Sequence, residues 1–247
     1  MKKVGLFTIF QVDDVLYRAY QNGLNNIITK HRGNSEYKTE IIEIMPQGTH
    51  YPHSQQAINI SLFESCFRTE LEFAVNIAHC DILAIAANST YLHSLAEEVF
   101  AENSESFPNT TFISLSDCAI AACDHYKQLT RPCILCQNNI EDDLLTCSRF
   151  AENGYQIKNI MDPSLITELN RRSIQVLEAN QTQHPNIEEL RNICGMVESS
   201  AKNAHINGIL LAGYFELYHV LLQGGVRYQT INLFEEHIKA IANAVLS

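Results

Sequence analysis

The sequence predicts an α/β fold built on mostly parallel strands, and three observations lead there. Short apolar runs alternate with longer segments of helical periodicity. Polar turns follow the buried strands Asp81–Ala86 and Gly208–Leu211, as at the ligand-holding strand ends of α/β proteins. Strand–turn–helix organisation recurs in the two halves: "DILAIAANSTYLHSLAEEV" (Asp81–Val99) and "GILLAGYFELYHVLL" (Gly208–Leu222) follow the same plan. That recurrence suggests two similar three-layer lobes with a cleft between them.

Strands are expected at Lys3–Phe10, Lys38–Ile44, Asp81–Ala86, Thr111–Leu115, Pro132–Leu135, Gln156–Ile160, Gly208–Leu211 and Arg227–Ile231. The first helix is expected over Asp14–Lys30, capped by Asp13 or Asp14, with Gly33 just beyond its end. Helices then follow at Gln55–Ala78, Ser94–Glu102, Ser116–Gln128 and Glu141–Asn153. "MDPSL" places Asp162 at a cap and Pro163 in the first turn of a helix over Asp162–Ala179. Asn186–His205, Glu216–Gln223 and Phe234–Leu246 complete the set. "FAENSESFPNTT" (Phe100–Thr111) is the candidate crossover between lobes.

The 247 residues allow one large domain or two small ones and a sizeable core. A net charge of −11 repels phosphate backbones and anionic lipids, which argues against nucleic-acid and membrane-surface roles. No apolar run approaches the roughly 18 residues of a membrane span. The opening "MKKVGLFTIFQVDD" has a short apolar run that meets Asp13 and Asp14 without a small-residue cleavage site. A cytoplasmic protein is the expectation.

The eight cysteines lie singly in apolar segments, as small hydrophobes in a reducing compartment do. Cys133 and Cys136 form a CxxC, but on a strand residues three apart point to opposite faces, so the sulfurs diverge. "HYPH" (His50–His53) has no second cluster at ligand spacing, so no metal site is expected. Phosphate-binding glycine loops, GxSxG and HExxH are absent.

Ligands of open α/β sheets bind beyond the carboxyl ends of strands, where the turns Asn88-Ser89-Thr90 and Tyr214-Phe215-Glu216 fall. At these turns the sequence resembles the aspartate/glutamate racemase family, whose first motif ends a strand with Cys-Asn-Thr and whose second reads Gly-Cys-Thr-Glu. "IAANSTYLH" occupies the first place and "ILLAGYFELYHVL" the second. Asn88 matches the family Asn, Ser89 its Thr, and Gly213 and Glu216 the second motif. "YRAYQNGLNNII", "RPCILCQNNIEDDLLTCSRFAENGYQI" and "YQTINLFEEHIKAIANAVL" resemble further family segments, with Asn232 at a family Asp and His237 at a family His.

The resemblance implies two α/β lobes related by a pseudo-twofold, with the C-terminal segment returning to the first. On that plan residues 1–105 plus 207–247 form one lobe and 106–206 the other. It also implies a cofactor-independent site for a small carboxylate or amino acid, and leans toward a homodimer.

Family chemistry uses two thiols, one removing the α-proton and the other delivering a proton to the opposite face. Here Ala87 stands at the first cysteine, Tyr214 at the second, Phe215 at the adjoining Thr, and Thr8-Ile9 at an N-terminal Gly-Gly. Alanine carries no proton to exchange, and a phenol titrates near 10. Asn88, Ser89, Thr90, Thr8, Phe215 and His237 are therefore candidate substrate-binding residues, and Tyr214 and Glu216 the candidates for chemistry. Ser89 reads equally as a helix cap and Asn88 as a turn residue.

Three functions stay open. One is a racemase-fold protein impaired in catalysis or repurposed to bind a small carboxylate, an amino acid or a protein partner. Another is an active racemase, isomerase or decarboxylase using Glu216, Tyr214 or a displaced cysteine (Cys118 or Cys136). The third is a transport-type ligand-binding protein.

Overall fold

The computed structural model describes residues 2–9, 14–32, 37–44, 60–87, 89–126, 129–136, 143–182 and 186–247. The His50–His53 cluster, Asn88, Asp13 and Gly33 lie outside them. Two compact units are present. The first comprises Met1–Ala87, Leu92–Ser114 and His237–Ser247; the second comprises Asn88–Tyr91 and Leu115–Glu236.

The first unit is built on β1 (Lys2–Ile9), β2 (Tyr37–Ile44), β3 (Ile82–Ala86) and β4 (Thr111–Ile113), ordered β2-β1-β3-β4 and parallel throughout. Parallel neighbours need helical crossovers, supplied by α1 (Asp14–Arg32), α2 (Ile60–Glu72) and α3 (Thr90–Asn103). Every residue of β3 is buried, as a strand covered on both faces requires. Phe7 packs edge-on against Phe67 of α2, with ring centroids 5.0 Å apart. A π-helical turn, Phe73–Ile77, ends the α2 segment.

The second unit carries α4 (Leu115–His125), β5 (Pro132–Leu135), α5 (Leu144–Glu152), α6 (Pro163–Thr182), α7 (Ile187–Asn203), β6 (Gly208–Leu211), α8 (Phe215–Gly224) and β7 (Gln229–Asn232). Its sheet is parallel, ordered β5-β6-β7. Alternation along the strands divides the core into two layers. Cys133, Leu135, Ile209 and Leu211 pack with Leu169, Ile193, Val197 and Leu217 of α6, α7 and α8. Ile134, Cys136, Leu210 and Ala212 pack with Ala119, Cys123 and Phe150 of α4 and α5. Cys133 and Cys136 thus face opposite layers, as strand periodicity predicts, and burial pushes the Cys133 thiol up to about 12. The closing helix, α9 (Leu233–Leu246), is capped by Asn232, whose Oδ1 accepts from Phe234 N at 3.1 Å.

Strand pairing corrects the expected division of the chain. β6 lies between β5 and β7, so residues 208–236 belong with the second unit, and only 237–247 return to the first. β4, expected in the second lobe, pairs with β3 in the first. Gln156–Ile160 forms one parallel bridge, Cys133 to Lys158, rather than a strand. α3 begins at Thr90, four residues before the expected Ser94, which is buried inside the helix. Among the described residues no helix is long and apolar enough to cross a membrane.

Two glycines give a matched test of backbone conformation. Gly213, in the turn from β6 to α8, has φ 89°, a region strained for any side chain. Gly195 lies inside α7 with open space where a Cβ would sit. Gly213→Ala is expected to lose about 1–2 kcal/mol, and Gly195→Ala to gain about 0.5–1 kcal/mol. Urea unfolding midpoints of the two variants check both signs.

Candidate functional site

In the first unit the carboxyl ends of β1 and β3 are neighbours, with Thr8 paired in register with Ala86. Thr8 and Ala87 are both buried. The chain then reaches Ser89 and Thr90, which are counted with the second unit and are the residue before α3 and its first residue. The helix start places backbone N–H groups at this turn.

Three buried rings hold the strand ends. His93, on α3, lies with Nε2 3.0 Å from Ala87 O. His237, on α9, lies with Nε2 2.8 Å from Ile113 O, at the end of β4. A carbonyl only accepts, so both Nε2 atoms carry the proton and both Nδ1 atoms keep a lone pair. The Tyr20 hydroxyl of α1 donates to His237 Nδ1 at 2.8 Å. The two imidazoles meet edge-on, centroids 5.5 Å apart. Beside them the Ser114 hydroxyl donates to buried Glu97 at 2.6 Å. His237, expected to bind substrate, thus has both ring nitrogens engaged within this unit.

Burial holds both imidazoles neutral, lowering His93 to about 3, with a smaller contribution from His237, and His237 to about 4.

In the second unit the β6–α8 turn is fixed from outside by α6. The Thr167 hydroxyl donates to Pro163 O at 2.9 Å, and its oxygen lies 3.2 Å from the Tyr214 hydroxyl. Thr167 has one proton, so Tyr214 is the donor to it. Tyr214 is 5 % exposed and packs in the apolar layer with Ile166, Leu169 and Leu217. Burial raises its phenol above the ordinary value, against a lowering effect of Thr167. Asn170, one turn on from Thr167, makes two bonds. Its Oδ1 accepts from Leu217 N at 3.0 Å, and its Nδ2 donates to a Glu216 carboxylate oxygen at 3.3 Å. Phe215 stacks obliquely on Phe234, centroids 5.4 Å apart.

The structure therefore gathers Tyr214, Phe215 and Glu216 at one turn, and Ser89 and Thr90 at another. His93, Tyr20, Thr167 and Asn170 were not singled out by sequence. The one signal available was a polar residue within an apolar run, as in His93 of "YLHSLAEEV". Cys118 and Cys136, considered as displaced thiols, are both buried. Among the described residues no group of three or more His, Cys, Asp or Glu side chains is placed to hold a metal ion.

No family model matches the chain, and no curated protein matches it in sequence. Solved structures do match in fold. A candidate Asp/Glu racemase of Yersinia pestis superposes with a TM-score of 0.67 at 13 % identity, covering 100 % of both chains. An aspartate racemase homologue of Pyrococcus horikoshii gives 0.66 at 16 % identity, again over 100 % of both. The maleate isomerase of Pseudomonas putida, solved with maleate, gives 0.56 at 9 % identity over 99 % of this chain and 92 % of its own. The fold is that of the Asp/Glu racemases.

The His93, His237 and Asn170 networks each contribute measurably to stability. Both histidines bind a proton near pH 6.5 when unfolded, but only near 3 and 4 when folded. The unfolded state binds more protons in between, so their contribution is complete above about pH 6.5 and drains away as pH falls toward those values. At pH 5 the loss is about 2 kcal/mol per histidine; denaturant midpoints at pH 7.5 and 5 measure it. Asn170→Leu, which removes both bonds at the α8 start, is expected to cost about 1–3 kcal/mol by the same assay.

Proposed function

We propose that the chain binds a small carboxylate or amino acid on a racemase-type scaffold and does not invert it by two-base proton transfer. The observation that carries this reading is the Tyr214 hydroxyl. It stands where the resemblance places a thiol, it is buried, and it donates its proton to Thr167. A phenol held protonated by burial is a poor base. At the other thiol position, Ala87 offers a methyl group and a carbonyl already taken by His93. Binding has separate support. Ser89 and Thr90 open α3, and the N-terminus of a helix suits a carboxylate. Thr8, near the end of β1, is in register with Ala86, and Asn88 precedes Ser89 in the sequence. The maleate isomerase of the same fold was solved with a small dicarboxylate.

A second reading rests on Glu216. Its carboxylate is oriented by Asn170, and a single oriented base supports one-sided chemistry such as decarboxylation or isomerisation.

One experiment separates them. The protein is incubated with D- and L-aspartate and glutamate in deuterated water, and α-deuterium is followed by NMR. No exchange above a Glu216→Gln control is expected. A ligand at 100 times its Kd should still stabilise the fold by about 2.7 kcal/mol, raising Tm by roughly 5–10 °C. Exchange that disappears in the Glu216→Gln variant would establish the second reading; stereoinversion at an enzyme-like rate would end the first.

A further inference from the structure

His93 is used at only one of its two nitrogens. Nε2–H donates to Ala87 O, while Nδ1 keeps its lone pair, is buried, and has no hydrogen-bond partner. The side chain is 1 % exposed. One turn earlier on the same helix the Thr90 hydroxyl is in the same state, 5 % exposed with Oγ1 unpartnered. Buried polar atoms in folded proteins are almost always satisfied, and one that is not calls for a water, an ion or a ligand. Two such atoms, a turn apart at the start of one helix, both stand short of a partner. The His93 ring reaches back from the second turn of α3 to Ala87, so it lies along the turn that opens the helix.

The chemistry of the two atoms narrows what fits. Helix N–H groups and the Thr90 hydroxyl can hold a carboxylate. The His93 lone pair cannot: facing a carboxylate oxygen it repels, and it is satisfied only by a donor. We infer that His93 Nδ1 is a ligand-reading acceptor, and that it selects small acids bearing an ammonium or hydroxyl group beside the carboxylate over plain dicarboxylates. This rests on the carboxylate reading above and specifies it. Nothing at Ala87 competes for the role, since that side chain is a methyl group and its carbonyl is already bonded to the same ring.

The test uses the full chain labelled with 15N at its imidazole nitrogens. L-aspartate, D-aspartate and L-malate serve as probes with a donor, succinate and maleate as probes without one. Aspartate or malate is expected to move the His93 Nδ1 resonance toward a hydrogen-bonded position, and to bind at least tenfold more tightly than succinate or maleate. His93→Phe should abolish that preference, while His93→Asn, which keeps an acceptor near the place of Nδ1, should retain much of it. If His93→Phe does not fold, the nitrogen resonance of the native protein decides alone. Equal binding of succinate and aspartate with Nδ1 unmoved would overturn this inference and leave the carboxylate reading standing. A His93 Nδ1 already hydrogen-bonded in the free protein and unchanged by aspartate would assign it to a resident water and overturn it likewise. Failure of every probe to bind would remove both.

Discussion

The carbonyl oxygens at the ends of buried parallel strands must find donors where water cannot reach them. The ladder that satisfies a strand interior stops at its last paired residue, and an unpaired buried carbonyl costs free energy comparable to a lost hydrogen bond. In the first unit two imidazoles meet this need, His93 at Ala87 O and His237 at Ile113 O. Each comes from a helix, so the bonds that satisfy the strand ends also fix α3 and α9 against the sheet. Tyr20 completes the set from α1 by donating to the second imidazole. In the second unit the corresponding end of β5 is met by backbone, Ala212 N donating to Leu135 O at 2.9 Å. The start of α8 is met by Asn170 of α6.

That constraint shapes what the turns can present. At the β6–α8 turn, Gly213 takes a left-handed conformation and the next side chain, Tyr214, enters the apolar layer with Leu169 and Leu217. A buried phenol needs a partner for its hydroxyl. Thr167 provides it, but only as an acceptor, because its own proton is committed to Pro163 O. Tyr214 is thereby a core residue with a satisfied polar tip. Glu216, half-buried at the same turn, is oriented by Asn170 and is the acidic side chain at the start of α8. Negative charge is favourable there because it meets the positive end of the helix.

The strands of both sheets were largely legible because continuous apolar runs of four to eight residues have few other uses. The opposed directions of Cys133 and Cys136 followed from strand period alone. The division of the chain did not follow, because whether Gly208–Leu211 pairs with the first sheet or with Pro132–Leu135 depends on contacts across more than seventy residues. The start of α3 was misplaced for a local reason. Ser94, the expected first residue, lies inside the helix, and the β-branched Thr90 and the aromatic Tyr91 are weak helix formers that mask the true first turn. At the site, the turns themselves were visible and their supports were not. Thr167 and Asn170 act on residues 47 positions away, and nothing in "LITELNRR" distinguishes them from the polar face of an ordinary helix.

Recognition and turnover make different demands on such a scaffold, and the titration of its groups separates the two. Racemisation by two bases needs groups that gain and lose a proton near neutral pH. A phenol raised by burial stays protonated under those conditions, and an imidazole lowered to about 3 stays neutral. Neither cycles. A neutral imidazole nevertheless keeps its lone pair at every pH above that value, and a lone pair needs no basicity to accept a hydrogen bond. Burial therefore weakens His93 as a proton carrier while leaving intact, in a medium of low dielectric, its ability to discriminate a donor from an acceptor. The same desolvation that argues against inversion is what makes the unpartnered nitrogen selective: with no water to fall back on, a ligand that fails to offer a hydrogen leaves the deficit in place.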